Sequence, residues 1–306
     1  MKQTRILVIR TGAIGDVLLA FPVLQALREE YFKPHVTLVS NAAVLPLAQA
    51  WGVADEVFDY QDMCWSELFA DGGIRSPAVR ELLAEIDLAI CWLRDPNGIV
   101  ARNVREAGAR QVIIAPGRPL EGVSVHIVEY LAGTIGMRIG RGGAHKSVMG
   151  TINRLSRDNT IAIHPGSGGA TKCWPVEHFV AVVERLWRQD RPVLLLAGPA
   201  DDRRLESMLG RITRAPKAGL LQVLANRPLL EVASRLQACR CYLGNDSGIT
   251  HLAALLGVPT IALFGPSDPA IWHPVGPAVK VIQERPLERL PVDTVMEAIE
   301  AFYKDT

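Results

Sequence analysis

Short runs of β-branched and aliphatic residues alternate along the chain with longer stretches whose apolar positions recur every three to four residues. That alternation predicts βα units built on parallel sheets. In the first half, strands are expected at 5–10 (Arg-Ile-Leu-Val-Ile-Arg), 35–40, 56–59, 86–92 and 111–115, with helices at 16–30, 42–51, 77–84, 98–107 and 122–135. Residues 137–159, rich in Gly and basic side chains, break the pattern and read as a linker. The pattern restarts with strands at 160–164, 192–197, 240–243, 259–264 and 278–282 and helices at 175–189, 201–213, 229–237, 248–257 and 292–303. The expected architecture is α/β, with two Rossmann-like, doubly wound parallel-sheet domains over 1–150 and 151–306 that face a central cleft. The last helix is free to pack back on the N-terminal domain. Ligands of such sheets bind at the carboxyl ends of the strands, so the turns that follow the strands are where chemistry is sought.

Composition narrows the classes. With 49% hydrophobic and 21% charged residues among 306, the chain is a folded globular protein. Its 33 Lys+Arg against 32 Asp+Glu leave a formal charge of +1, which excludes a general nucleic-acid footprint. The opening Met-Lys-Gln-Thr-Arg runs directly into Ile6-Leu7-Val8-Ile9, which Arg10 ends, too short a core for a signal peptide. No apolar run approaches the roughly 20 residues that span a bilayer. A cytoplasmic protein is expected, with peripheral contact to a membrane left open. Cys239 and Cys241 are the only close pair among five cysteines and lack two further ligands at zinc spacing, so buried thiols and no metal site are expected.

Four turns carry candidate chemistry. In Arg10-Thr11-Gly12-Ala13-Ile14-Gly15-Asp16, the glycines permit a tight turn that brings Asp16 to the end of the first strand, either as a helix N-cap or as a presented carboxylate. This Gly-x-x-Gly is not the Gly-x-Gly-x-x-Gly of dinucleotide binding. His164-Pro165-Gly166-Ser167-Gly168-Gly169-Ala170-Thr171-Lys172 offers backbone N–H groups, hydroxyls and an ammonium ahead of a helix, a set suited to a phosphate although it is no Walker A loop. Gly244-Asn245-Asp246-Ser247-Gly248-Ile249-Thr250-His251 opens another helix, with Ser247 and His251 four apart on one face and first-turn N–H groups suited to a diphosphate. Asp246 there is either an N-cap or a partner for sugar hydroxyls, since a phosphate would repel it. Asp201 and Asp202, after the second strand of this half, either cap a helix or accept ribose hydroxyls. Finally, Phe264-Gly265-Pro266-Ser267-Asp268-Pro269 rigidifies the end of a buried strand.

Taken in order, these motifs, with Lys172-Cys173-Trp174-Pro175 and His251-Leu252-Ala253-Ala254, resemble those of family 9 glycosyltransferases, the heptosyltransferases of lipopolysaccharide core assembly. The resemblance spans nearly the whole chain, is strongest in its second half and weakest over 60–150. It implies a GT-B fold whose N-terminal domain takes the acceptor and whose C-terminal domain takes a nucleotide sugar, typically ADP-L-glycero-D-manno-heptose. It further implies an inverting, metal-independent transfer by a monomer without a resident cofactor, on the cytoplasmic face of the inner membrane. Residue by residue, Asp16 matches the general base and Lys172 the lysine that contacts donor phosphate and sugar. Asp246, Ser247, Gly248 and His251 match the donor motif, and Ser167 with Gly168 stand where a hydroxyl pair meets the phosphates. Asp201 stands where a relative has a Glu facing the nucleoside. Acceptor contacts are expected from Arg10, Arg94, Arg102 and Arg105, with Trp65 and Trp92 nearby in sequence, to an anionic, lipid-linked saccharide. The alternative within the family is a transferase that uses another nucleotide sugar or acceptor; more remote are an NAD-dependent dehydrogenase, which dinucleotide binding with hydride transfer would support, and a bilobal solute-binding protein, which tight binding of a free sugar would support.

Overall fold

A computed structural model describes residues 3–139, 157–212 and 217–304. The chain divides into two compact units, Met1–Ala144 and His145–Thr306. The expected boundary at 150 and most of the expected linker lie outside the described residues.

The first unit runs β1 (Arg5–Arg10), α1 (Ile14–Leu18), α2 (Phe21–Glu30), β2 (His35–Ser40), α3 (Leu45–Ala50), β3 (Glu56–Asp59), α4 (Met63–Ser66), α5 (Pro77–Ala84), β4 (Leu88–Trp92), α6 (Ile99–Glu106), β5 (Gln111–Ala115) and α7 (Ile127–Thr134). All its strand pairings are parallel, in the order β3-β2-β1-β4-β5. The central strand β1 is buried from Ile6 onward, as a strand covered on both faces must be. The single helix expected over 16–30 is instead two helices with a break at Leu19 and Ala20. Pro22 has no N–H to offer the Leu18 carbonyl and its ring crowds the preceding turn, so the second helix restarts with Pro22 in its first turn.

The second unit runs β6 (Ile161–His164), α8 (Val176–Arg188), β7 (Val193–Ala197), α9 (Asp202–Arg211), β8 (Leu221–Ala225), α10 (Leu229–Ala238), β9 (Cys241–Asn245), α11 (Gly248–Leu255), β10 (Thr260–Phe264), α12 (Pro269–Trp272), β11 (Val279–Gln283) and α13 (Val292–Lys304). The parallel order is β11-β10-β9-β6-β7-β8. Trp174, Phe179, Val183 and Leu186 pack with Ile163, Leu195 and Leu243 in one core, each fully buried aliphatic side chain contributing about 1.5–3 kcal/mol. The last helix buries Val295, Ala298 and Ile299 in this same core and packs on α8. Each sheet reverses its winding once, between β1 and β4 in the first and between β6 and β9 in the second. At such a point the connections diverge to opposite faces and leave a crevice at the strands' carboxyl ends.

Candidate functional site

The reversal of the second sheet brings together the turns after β6, β7, β9 and β10. In register, His164 at the end of β6 stands opposite Gly244 on β9. Asn245 ties the two turns: its Nδ2 donates to the carbonyls of Pro165 at 2.8 Å and Gly166 at 3.3 Å, while its Oδ1 accepts the Trp174 N–H at 2.9 Å. The Ser167 hydroxyl donates to the Asp246 carbonyl at 2.6 Å. The approach is so close at Gly166 that a Cβ would run into the Asp201 carboxylate.

Asp246 is the electrostatic hub. Its Oδ2 accepts from Lys172 Nζ at 2.8 Å and from the Ser267 hydroxyl at 2.6 Å, and its Oδ1 lies 3.7 Å from His251 Nε2. Burial would push this carboxyl up, but His251, Lys172 and Ser267 together hold it well below the usual carboxylate range. A carboxylate neutralised in this way no longer repels a phosphate, and it fixes an ammonium whose side chain is 41% exposed beside the turn. The cap of α11 is Ser247, whose hydroxyl accepts the Thr250 N–H at 3.4 Å, so Asp246 is not the cap. His251 is buried, and its Nδ1 has no hydrogen-bond partner among the described residues.

Asp201 opens α9 without capping it. Its Oδ2 accepts the Gly198 N–H at 2.8 Å and lies 2.9 Å from His164 Nε2, and the residue is 7% exposed. Beside it a cavity of about 370 Å³ is lined by Ser167, Cys173, Arg203, Arg204 and Ser207 among others. Gly168 is exposed and nothing would meet a Cβ there, which leaves its backbone accessible from outside. The turn after β6 and the first turn of α11 therefore form a cradle of N–H groups, hydroxyls and one fixed ammonium, the chemistry that holds a diphosphate.

In the first unit, Gly12 adopts φ 129°, where an L side chain is strained and a Cβ would meet Asp16 Oδ2 at 2.9 Å. The helix starts at Ile14, so Asp16 lies within its first turn rather than at the N-cap, and its Oδ2 accepts the Ala13 N–H at 3.1 Å. Its remaining carboxylate oxygen is 3.7 Å from Arg10 Nη2, and the side chain is half-buried. Arg10 was expected at the acceptor; instead it is 3% exposed, and its Nε donates to the Asp16 carbonyl at 3.2 Å. Strand β1 is covered on both faces, so a side chain on its last residue points into the protein and braces the Asp16 turn. Trp65 and Trp92 are likewise core residues, Trp92 donating its Nε1–H to Thr134 at 2.9 Å. Arg94 and Arg105 are exposed and line an open groove of about 850 Å³ with Ile113, Pro116 and Leu120, while Arg102 donates to the Asp71 carbonyl at 3.1 Å.

Cys239 and Cys241 are buried free thiols, pushed up to about 12 by burial. Among the described residues, no group of three or more His, Cys, Asp or Glu is placed to hold a metal ion, and no helix is long and apolar enough to cross a membrane. Sequence reasoning singled out Lys172, Asp246, Ser247 and His251. It missed Asn245, Ser267, Thr250 and the part His164 plays, because their roles depend on which turns the sheet order brings together.

These features place the chain in a class, α/β proteins of two Rossmann-like units with an anion cradle at the strand ends, and comparison narrows it. Residues 140–297 match the model of glycosyltransferase family 9 (heptosyltransferase), and the chain belongs to that family. It is 29% identical over 140 residues to lipopolysaccharide heptosyltransferase 2 of Salmonella typhimurium, a match covering 45% of this chain and 40% of that one. The match thus spans about two fifths of that relative's length. Among solved structures, that of glycosyl transferase family 9 from Veillonella parvula superposes with a TM-score of 0.76 at 19% identity, covering 100% of this chain and 99% of that one. That of E. coli ADP-heptose lps heptosyltransferase II does so with a TM-score of 0.76 at 20% identity, covering 98% of each. The fold is therefore that of the GT-B heptosyltransferases.

Proposed function

We propose that the chain is a glycosyltransferase that moves a heptose from ADP-L-glycero-D-manno-heptose to a lipopolysaccharide-core or related saccharide, with inversion and without a metal ion. The observation that carries this reading is the Lys172 ammonium fixed on buried Asp246 beside the N-terminus of α11. In this reading the diphosphate lies on the N–H groups of α11 and on Gly168, with Ser167, Ser247, His251 and Lys172 around it, and Asp201 on the nucleoside side. The helix terminus and the ammonium offset charge that develops on the leaving ADP, the part a divalent cation plays in other transferases.

Asp16 is the general base. Its carboxylate takes the proton of the acceptor hydroxyl as that oxygen bonds to the anomeric carbon, and the bond from that carbon to the diphosphate breaks with its electrons leaving on ADP. Arg10 braces the turn that carries it, with Nε on the Asp16 carbonyl and Nη2 3.7 Å from the carboxylate. Arg94, Arg102 and Arg105 are the proposed acceptor contacts, suited to an anionic saccharide on a lipid at the cytoplasmic face of the inner membrane. The chain is proposed to act there as a monomer.

The test is thermal stabilisation by ADP, UDP, GDP, CDP and NAD, each with and without magnesium. A ligand at 100 times its Kd adds about 2.7 kcal/mol, which is readily seen as a shift in Tm. A shift with ADP that is independent of magnesium is expected. A shift with UDP or GDP alone would remove the heptose donor, and one with NAD alone would remove the transferase reading.

A further inference from the structure

Exposed apolar side chains are grouped at one end of the first unit. Of the nine large ones exposed among the described residues, five stand in two segments: Leu120, Val123 and Val125 between β5 and α7, and Met63 and Phe69 after β3. Every strand pairing in that sheet is parallel, so both segments leave its carboxyl end, where Asp16 also lies. β3 and β5 are the two edge strands, and the two segments therefore flank that end from opposite sides. Scattered exposed aliphatics need no explanation, but a grouped set marks a contact surface.

The loop between β5 and α7 is built to hold its apolar tip in place. Pro116 and Pro119 fix two of its φ angles. The Val123 N–H donates to the Leu120 carbonyl at 3.1 Å and closes a tight turn on Gly122, which adopts φ 85°. Leu120, 69% exposed, and Val123 stand at the two ends of that turn. At the root of the loop, a Cβ on Gly117 would run into Arg10 Nη1 and lie 3.0 Å from the Trp92 carbonyl, so the backbone packs on the guanidinium that braces the Asp16 turn. Leu120 follows three residues later, at most about 11 Å of chain. The apolar tip is thereby tied to the position of Asp16.

Cationic side chains accompany the tip. Arg94 and Arg105 line the groove along β5 together with Leu120, and Arg118 belongs to the loop itself; all three are exposed, and none is ion-paired among the described residues. Of the carboxylates close by in sequence, Asp95 is committed to the N–H groups of Val100 and Ala101 in α6, which leaves Glu121 against the three guanidiniums. Apolar tips beside long cationic side chains suit the boundary between acyl chains and anionic headgroups. A protein partner would want a continuous face, whereas these side chains stand on separate turns. We infer that the β5–α7 loop is a membrane anchor: Leu120, Val123 and Val125 enter the headgroup boundary of an anionic bilayer, and Arg94, Arg105 and Arg118 lie on its phosphates. The inference rests on the reading of this end of the sheet as the one that receives a lipid-borne acceptor. Held this way, the Asp16 turn faces the lipid surface, and an acceptor reaches it without leaving the bilayer.

The experiment is co-sedimentation of the full chain with unilamellar vesicles of phosphatidylcholine, with and without phosphatidylglycerol. The wild type is compared with Arg118→Gln and with a double variant, Leu120→Asn with Val123→Asn. The double variant leaves the charge unchanged and alters only exposed side chains, so its Tm and its shift with ADP should equal those of the wild type. The wild type should bind the phosphatidylglycerol vesicles, and less so as salt is raised. The double variant should bind them more weakly by roughly tenfold or more, and Arg118→Gln by about fivefold, the worth of one basic residue at an anionic surface. With a lipopolysaccharide-core acceptor in vesicles the double variant should show a raised KM, and with the same acceptor stripped of its acyl chains an unchanged one. A wild type that ignores anionic vesicles, or a double variant that binds them equally well, overturns the inference and leaves the donor site standing. Self-association of the wild type that the double variant abolishes would make the loop a contact between copies and overturns it too. A wild type that binds vesicles through this loop and transfers no sugar to either acceptor keeps the membrane surface and overturns the transferase reading.

Discussion

Asp246 shows how one buried carboxylate shapes a site by what it holds. Its partners Lys172, Ser267 and His251 come from three different segments, so replacing it disturbs all of them. Asp246→Asn should destabilise the chain by on the order of 1–3 kcal/mol at neutral pH, measured by urea unfolding. The effect should depend on pH with a definite sign. A carboxyl whose folded pKa is depressed contributes stability that is present above its unfolded pKa of about 3.9 and is lost as pH falls below that. The wild type should therefore lose stability progressively as pH falls below about 4, and Asp246→Asn less so, the two curves converging in stronger acid. Lys172→Ala removes the ammonium and leaves Asp246 with His251 and Ser267. Calorimetry should show ADP binding weakened by roughly tenfold or more, the worth of one charge-assisted contact; unchanged affinity would contradict a phosphate contact.

At the scale of elements, the cradle depends on turns that approach each other more closely than most side chains allow. Gly166→Ala places a Cβ against the Asp201 carboxylate and should cost about 1–3 kcal/mol in chemical denaturation, with weaker ADP binding, while Gly168→Ala, where nothing lies near, should be close to neutral for stability. Most strands were legible because they are buried on both faces and read as continuous aliphatic runs, as Leu88–Trp92 and Val193–Ala197 do. Strand β8 was not: Leu221-Gln-Val-Leu-Ala225 lies at the sheet edge, half-exposed and with little β-branching, so neither of its faces carries a strong pattern. The break between α1 and α2 was signalled by Pro22, but the apolar periodicity runs through it. The motif residues were legible as a set because turn chemistry is local. Asn245 as a clasp, Ser267 on Asp246 and the turn of Arg10 into the protein were not, since each depends on strand order or register.

The whole molecule carries two sheets with the same device, a winding reversal that frees the carboxyl ends of two neighbouring strands, and gives them different chemistry. The second unit offers one fixed ammonium and N–H groups to an anion; the first offers one half-buried carboxylate on a turn whose φ of 129° suits glycine. If that carboxylate is the base, its loss should separate catalysis from donor binding, because no donor contact is assigned to the first unit. The measurement that tests this most directly is the rate of heptose transfer from ADP-L-glycero-D-manno-heptose to a lipopolysaccharide-core acceptor by the wild type and by Asp16→Asn, with the Kd for ADP measured on both. With Asp16 as the base, the wild type transfers heptose, the variant is slower by about 10²–10⁴-fold, and ADP affinity is unchanged. A variant that transfers at the wild-type rate, or a wild type that binds ADP and transfers no heptose, would contradict it.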